Sequence, residues 1–189
     1  ASLRELNGEE SASSGAAVFM EIETGEILSS ASYPTYNLET FNKDYDILSK
    51  QQKASPYLNR VISGVFAPGS TYKMVTAVAG LETGVLSPST TYSCPGRYTY
   101  YDDYQPTCFA STAHGRVNVM TALQKSCNGY FFDAARKMGI DTLDEYCYSL
   151  GFGTLTGIEL PNEKPGLVAS RAAREAKGLY WTDGETLLA

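Results

Sequence analysis

Val61-Ile62-Ser63-Gly64-Val65-Phe66-Ala67-Pro68-Gly69-Ser70-Thr71-Tyr72-Lys73-Met74-Val75-Thr76-Ala77-Val78-Ala79-Gly80-Leu81-Glu82-Thr83-Gly84 is the stretch on which the reading of this chain turns. Ala67-Pro68-Gly69 breaks the pattern, Met74, Val75, Ala77, Val78 and Leu81 then recur at helical spacing, and Gly84 supplies a stop. The spacing predicts a buried helix with Ser70 at its start. Residues three apart on a helix share a face, so Ser70 and Lys73 can place a hydroxyl beside an amine. Burial disfavours the charged form of lysine, and a neutral Lys73 can take the proton from Ser70. A capped helix, with Ser70 or Thr71 satisfying amide donors and Lys73 reaching solvent, accounts for the same residues. Ser-x-x-Lys alone is too short to choose between them.

Outward from this helix, 189 residues with 43% hydrophobic and 12% aromatic content describe a globular chain long enough for one domain with a sizeable core. A net charge of -6 and the absence of any basic run argue against nucleic acid or an anionic membrane surface as a partner. No apolar run approaches the ~20 residues of a membrane helix, and the N-terminus is not of signal-peptide type. A membrane anchor, if the native protein has one, lies outside this sequence. Four cysteines are too few for a disulfide scaffold and leave the compartment open.

Residues 1–14 are small and polar and read as a linker, with the ordered domain running over 15–189. Ala16-Ala17-Val18-Phe19-Met20-Glu21-Ile22 and Ile27-Leu28-Ser29-Ser30-Ala31-Ser32, joined by Glu23-Thr24-Gly25-Glu26, predict an antiparallel hairpin. Tyr33 to Asn59 has weak periodicity and is bracketed by Pro34 and Pro56, so no continuous helix is expected through it. Thr91 to Ala113 carries five tyrosines, two prolines and two cysteines without a helical repeat, and long loops in compact domains are usually functional or tied down. Its tyrosines, Tyr92, Tyr98, Tyr100, Tyr101 and Tyr104, either pack the loop or line a groove. Helices are predicted over 119–125 with Asn118 as N-cap, over 130–138 ending at Gly139, and over 142–150 with Asp141 as cap and Gly151 as stop. Cys147 shares a helix face with Leu143 and Leu150 and reads as core. Phe152 to Gly166 is a Gly- and Pro-rich loop, the chain from Ser170 is weakly amphipathic, and Thr182-Asp183-Gly184-Glu185 can cap a last helix. An isolated hairpin is marginal in water, so either helices cover it or further strands lie beyond Ala189.

Between the helices over 119–125 and 130–138 stands Lys125-Ser126-Cys127-Asn128-Gly129. A Ser-x-Asn at such a junction can aim a proton-relaying hydroxyl and a carbonyl-holding amide into a cleft, or merely tie up helix ends.

The order Ser-x-x-Lys then Ser-x-Asn matches the acyl-transferring serine enzymes that react with penicillin. Further segments extend the likeness: Gly15-Ala16-Ala17-Val18, Glu23-Thr24-Gly25-Glu26-Ile27-Leu28, Ala31-Ser32-Tyr33-Pro34, Ala67-Pro68-Gly69-Ser70-Thr71-Tyr72-Lys73-Met74-Val75, Ala113-His114-Gly115, Ser126-Cys127-Asn128, Gly151-Phe152-Gly153, Thr156-Gly157-Ile158-Glu159-Leu160-Pro161 and Asp183-Gly184-Glu185-Thr186. In this order, from about residue 15 to the end, the chain resembles a class B penicillin-binding protein, most closely the elongation-type, peptidoglycan-crosslinking branch that serves cell shape. The resemblance implies the α/β (α+β) penicilloyl serine transferase fold: an antiparallel sheet flanked by helices, an all-helical lobe, and the active serine between them. It makes Ser70 the nucleophile, Lys73 the general base, Ser126 the relay to the leaving amine and Asn128 the group orienting the donor peptide. Ser70 would open the D-alanyl-D-alanine bond of a stem peptide, and the amine of a neighbouring strand would resolve the acyl-enzyme, at the outer face of the cytoplasmic membrane. β-Lactams imitate the first step, and no cofactor is needed for catalysis.

One departure is large. The family's Lys-Thr-Gly or Lys-Ser-Gly strand, which supplies part of an oxyanion hole, is absent from this chain, and Lys177-Gly178 does not match it. The expectation is therefore a transpeptidase domain cut before its last strands and inactive by itself. A serine β-lactamase of the same fold needs a deacylating base for which no Glu stands out, and a β-lactam-sensing module without turnover is the other alternative.

Cys94, Cys108, His114 and Cys127 are separated by 14, 6 and 13 positions. Three cysteines and a histidine suffice for tetrahedral zinc, although the spacing is unlike Cys-x-x-Cys pairs. A Cys94–Cys108 disulfide and free thiols are the competing readings. The resemblance adds that some elongation-type members carry a zinc-like site near the active serine, and Cys127 and His114 occupy matching positions. Four protein ligands leave no open position, so such a metal would be structural.

Overall fold

The computed structural model describes residues 14–51 and 54–179. The linker expected over residues 1–14 and the helix start at Thr182-Asp183-Gly184-Glu185 therefore fall, but for Ser14, outside the described residues. Among those described, the residues up to Phe66 together with Gly157–Lys164 form one compact unit, and Ala67–Thr156 with the residues from Pro165 onward form another.

The first unit carries the expected hairpin. β1 (Gly15–Met20) pairs antiparallel with β2 (Ile27–Tyr33), from Gly15 opposite Tyr33 to Phe19 opposite Ser29. The register then slips by one residue, so that Met20 faces Ile27. Val18, Phe19, Met20, Ile27 and Leu28 are all exposed on this ribbon. The weakly periodic segment that follows contains a short helix, α1 (Phe41–Leu48), which the sequence reading did not foresee. None of its residues is buried. It is held by rings instead: Phe41 and Tyr45, four apart and so on one face, each meet Tyr57 at a centroid distance of 5.5 Å, and Phe41 also meets Tyr36 at 5.4 Å. Ser32 Oγ accepts from the Arg60 amide at 3.1 Å and donates to the Leu58 carbonyl at 3.1 Å, pinning the return of the chain to β2.

The second unit opens with a 3-10 turn over Gly69–Tyr72 that runs into α2 (Lys73–Glu82). Neither Ser70 nor Thr71 caps it: no side chain caps either segment, and the Thr71 hydroxyl donates back to the Pro68 carbonyl at 2.7 Å. The buried face also differs from the expected one. Val75, Thr76, Ala77, Ala79 and Gly80 are buried, whereas Met74, Val78 and Leu81 are exposed. The small residues win because α2 is approached closely. A Cβ on Gly80 would stand 2.6 Å from Leu86 Cδ1, and the Leu86 amide donates to the Gly80 carbonyl at 2.7 Å.

The long loop is more ordered than expected. It contains β3 (Tyr92–Cys94), antiparallel to β4 (Gly115–Val117), with a further bridge between Arg97 and Thr107. Tyr98 is buried and Tyr100 exposed, and Arg136 lies 3.8 Å over the Tyr100 ring, so this part of the tyrosine cluster is packing against the helix that follows. Asn118 caps α3 (Val119–Gln124) as expected, accepting from the Thr121 amide at 3.0 Å while Thr121 Oγ1 accepts from the Asn118 amide at 2.9 Å. α4 (Asn128–Met138) begins two residues earlier than the spacing suggested.

α5 (Ile140–Ser149) follows directly, and Asp141 lies inside its first turn rather than capping it. Gly139, at φ +80, turns the chain between the two helices without a loop, which brings Ile140 into the core. Cys147 and Leu143 are buried as expected, but Leu150 is exposed because the helix has ended before it. The last described helix, α6 (Arg171–Glu175), is capped by Ser170, which accepts from the Ala173 amide at 3.0 Å. The core of this unit gathers Ala77, Leu86, Cys94, Cys108, Val117, Val119, Ala122, Cys127, Tyr130, Phe131 and Ala134.

Candidate active site

Within the second unit the two short motifs meet. The 3-10 turn leading into α2 leaves Ser70 and Lys73 on one side, with Lys73 Nζ 3.1 Å from Ser70 Oγ. The chain between α3 and α4 brings Ser126 and Asn128 to the same amine. Lys73 Nζ donates to Ser126 Oγ at 2.8 Å, to the Ser126 carbonyl at 2.9 Å and to Asn128 Oδ1 at 2.5 Å. Ser126 Oγ in turn donates to Ser70 Oγ at 2.9 Å, closing a triangle of two hydroxyls and an amine. All four residues singled out in the sequence thus lie in one hydrogen-bonded set.

Ser126 reaches this position through a left-handed backbone at φ 50, unusual for a residue with a side chain. The strain is held from both sides: its amide donates to the Leu123 carbonyl at 3.0 Å, and the next amide, of Cys127, donates to the Ala122 carbonyl at 2.8 Å. Ser126 and Asn128 then face Lys73, while Cys127 between them is fully buried.

Burial pulls the Lys73 ammonium below its ordinary pKa, opposed by the nearby Cys108 and Cys127 thiols, which favour the charged form. Ser70 itself is exposed, so the set couples a reachable hydroxyl to a partly desolvated amine. Its chemical competence is that of a serine nucleophile with a base and a hydroxyl proton path already in contact.

Behind Asn128 the structure shows a residue that the sequence did not single out. The Thr107 carbonyl accepts from Asn128 Nδ2 at 2.9 Å, fixing the amide so that its oxygen faces Lys73. A backbone carbonyl leaves no signature in residue type, and only the neighbouring Cys108 marked the segment.

Cys94, Cys108, His114 and Cys127 also converge. Their ligand atoms all lie within 4.8 Å of one another, and these four residues can hold a metal ion. Cys94 Sγ stands 3.6 Å from Cys108 Sγ and 3.7 Å from His114 Nδ1. The four cysteines are free thiols, so the structure does not join Cys94 to Cys108 as a disulfide. Burial raises the Cys94 thiol, but the backbone amides of His114 and Gly96 and the thiols of Cys127 and Cys108 outweigh it and hold the pKa below the ordinary value. Burial pushes Cys127 up to about 12. The two thiols are thus shifted in opposite directions within one cluster.

A family model described as the penicillin binding protein transpeptidase domain matches residues 15–183. The chain is similar to the peptidoglycan D,D-transpeptidase MrdA of Acinetobacter baumannii, at 36% identity over 183 residues, covering 92% of this chain and 27% of that protein. It also superposes on PBP2 of Pseudomonas aeruginosa, solved in complex with WCK 5153, with a TM-score of 0.83 and 34% identity over 93% of this chain and 41% of that one. PBP2 of Helicobacter pylori, solved in complex with MreC, gives a TM-score of 0.83 at 29% identity over 92% of this chain and 33% of that one. The chain spans less than a third of the length of the curated relatives it matches.

Proposed function

Because the chain belongs to the penicillin-binding protein transpeptidase family and has its penicilloyl serine transferase fold, we propose that residues 15–189 are part of a domain that cross-links peptidoglycan by acyl transfer through Ser70. The observation that carries the proposal is the closed contact of Ser70 Oγ, Lys73 Nζ and Ser126 Oγ at 2.8–3.1 Å. Lys73, its charge disfavoured by burial, takes the Ser70 proton as the oxygen attacks the D-alanyl-D-alanine carbonyl. Ser126 passes a proton to the departing amine, and Asn128, locked by Thr107, orients the donor peptide. An amine of a second stem peptide then repeats the steps in reverse. A β-lactam meets the same serine, and among the described residues the side-chain partners of Ser70 are an amine and a hydroxyl, neither of them a carboxylate placed to speed deacylation.

The residues also support the metal reading. A tetrahedron with Zn–S distances of about 2.3 Å has edges of about 3.8 Å, close to the 3.6 and 3.7 Å separations around Cys94. We assign Cys94, Cys108, His114 and Cys127 as the ligands of a structural zinc, which when bound would clamp the loop to the Ser126 junction and activate no water. Catalysis itself requires no cofactor. No described helix is long and apolar enough to cross a membrane. The working place is the outer face of the cytoplasmic membrane, where stem peptides and β-lactams are found.

The test is the intact mass of the full-length protein before and after benzylpenicillin, with Ser70→Ala beside it. One stable adduct, lost in the variant, is expected. An unmodified wild type would reduce Ser70 and Lys73 to an ordinary helix start. Elemental analysis of the same preparation decides the metal: one zinc per chain is expected, and its absence from protein purified without chelator would remove the assignment.

A further inference from the structure

The four-residue cluster contains a second chemistry that metal binding does not use. Cys94 and Cys108 have their sulfurs 3.6 Å apart, both residues are 2% exposed, and neither is bonded to the other. Their backbones are already joined locally: the Cys108 amide donates to the Gly96 carbonyl at 2.9 Å, and Arg97 bridges Thr107. A disulfide needs sulfurs about 2.0 Å apart, so the pair requires a small contraction rather than a refolding. The contraction cannot leave Thr107 untouched, because Thr107 is covalently next to Cys108 and its carbonyl holds Asn128 Nδ2. Asn128 Oδ1 in turn holds Lys73 Nζ.

We propose that Cys94 and Cys108 are a reversible thiol–disulfide pair whose oxidation expels the metal from the cluster and slows acylation of Ser70, by disturbing the Thr107–Asn128–Lys73 contacts. The proposal rests on the transpeptidase reading for its effect on acylation, and on the cluster alone for the redox step. The co-reactant is a disulfide of the general form R–S–S–R. One protein thiolate attacks it, forming a mixed disulfide and releasing one RS⁻; the second thiolate then attacks the protein-bound sulfur, forming the Cys94–Cys108 bond and releasing the other RS⁻. Two electrons pass from the protein sulfurs to the reagent, which leaves as two thiols. The two thiol protons, or the metal ion they had been exchanged for, are given up. With two of four donors gone, Cys127 and His114 cannot complete a tetrahedral site. Metal and disulfide are thus mutually exclusive states of the same side chains. Cys147 takes no part: it is buried on α5 with its sulfur 3.0 Å from Tyr72 Oη, and it serves as an internal reference thiol.

The experiment uses the full-length, reduced, zinc-loaded protein titrated with oxidised glutathione. Three quantities are followed together: zinc released to a metallochromic indicator, peptide maps of the disulfide, and the rate of acylation by a fluorescent penicillin. The expected result is loss of one zinc in step with a Cys94–Cys108 bond, a fall in acylation rate of about tenfold or more, and recovery of both with dithiothreitol and added zinc. In Cys108→Asp, which keeps an oxygen donor but no oxidisable sulfur, the ratio of rates with and without oxidant is expected to stay near one whatever its basal rate. If that variant does not fold, Cys94→Asp repeats the comparison from the other sulfur. Zinc and thiols unchanged at saturating oxidant, pairing through Cys127 instead, or a disulfide that leaves acylation unaltered would each overturn the proposal. A reduced, zinc-loaded protein that penicillin does not acylate would instead overturn the transpeptidase reading, while zinc release and the peptide map still decide the redox pair.

Discussion

The Ser70–Lys73 turn and the cluster of Cys94, Cys108, His114 and Cys127 sit in one compact unit, but they are assembled in opposite ways. The first spans four residues and needs only one helical turn to bring its groups to 3.1 Å. The second draws on β3, the turn before Phe109, the entry to β4 and the α3–α4 junction, so its geometry exists only when the loop is closed. A locally built pair should tolerate damage elsewhere, and a cluster built at long range should feel any loosening of its supports. Ser126-Cys127-Asn128 belongs to both, since its outer side chains reach Lys73 while its central one lies in the cluster.

The sharpest way to break this contrast is to remove the shared amine. Lys73→Met is expected to slow acylation by about a hundredfold to ten-thousandfold, with zinc content unchanged; stopped-flow acylation beside elemental analysis would sink the separation of the two halves if the metal left with the lysine. In the wild type the acylation rate should rise with pH as Lys73 sheds its proton, with an inflection below the ordinary lysine pKa because burial disfavours the ammonium. Ser126→Ala keeps the amine and removes one side of the triangle, and about a hundredfold loss in acylation rate is expected, at the low end of what a positioned proton-transfer group contributes. A loss confined to binding, with the chemical step intact, would assign Ser126 a different role.

The supports come next. Asn118→Ala removes the capping box of α3, the helix that delivers Cys127, and should cost about 1 kcal/mol in urea unfolding. It should also weaken zinc retention against a chelator, whereas no change in metal affinity would show that the cluster does not depend on this helix.

The smallest effect concerns α5. Burial, with a lesser push from Asp141, raises the Asp144 carboxyl to about 6, and its Oδ1 is buried without a hydrogen-bond partner among the described residues. The folded state thus holds its proton to a higher pH than the unfolded chain, so this group's contribution is full below the unfolded value near 3.9 and is lost as pH rises through about 6. Asp144→Asn should therefore stabilise at pH 7 by roughly 1 kcal/mol, discounted for solvent screening. No gain is expected at pH 3, and the same shift at both values in thermal melts would show that burial of charge is not the cause.

What the sequence made legible follows the same division. Helix caps and stops depend on neighbours, so Asn118, Gly139 and the helix over 130–138 could be read one segment at a time. So could the pairing of Ser70 with Lys73. The buried face of α2 could not, because Met74, Val78 and Leu81 look as apolar as Val75 and Ala77, and the choice is made by the close approach of Leu86 to Gly80. Asp141 was misread for a similar reason: Gly139 allows α5 to start without a loop, and a capping pattern takes no account of that. The convergence of Cys94, Cys108, His114 and Cys127 was suggested by residue type and family likeness, while the Thr107 carbonyl that steadies Asn128 carries no side-chain signal at all.

The separation of 56 positions between the hydroxyls of Ser70 and Ser126 has a consequence for biogenesis. A newly made chain can bring its serine and lysine together within a single turn, but Ser126 arrives only after the strands, the loop and the following helices have found their places. On the proposed transpeptidase reading, reactivity is conferred at the end of folding, and an immature chain would be chemically silent toward a β-lactam. Penicillin capture in a pulse-labelled cell would count finished molecules, and an agent that delayed closure of the loop would protect the chain from β-lactams by keeping it unfinished.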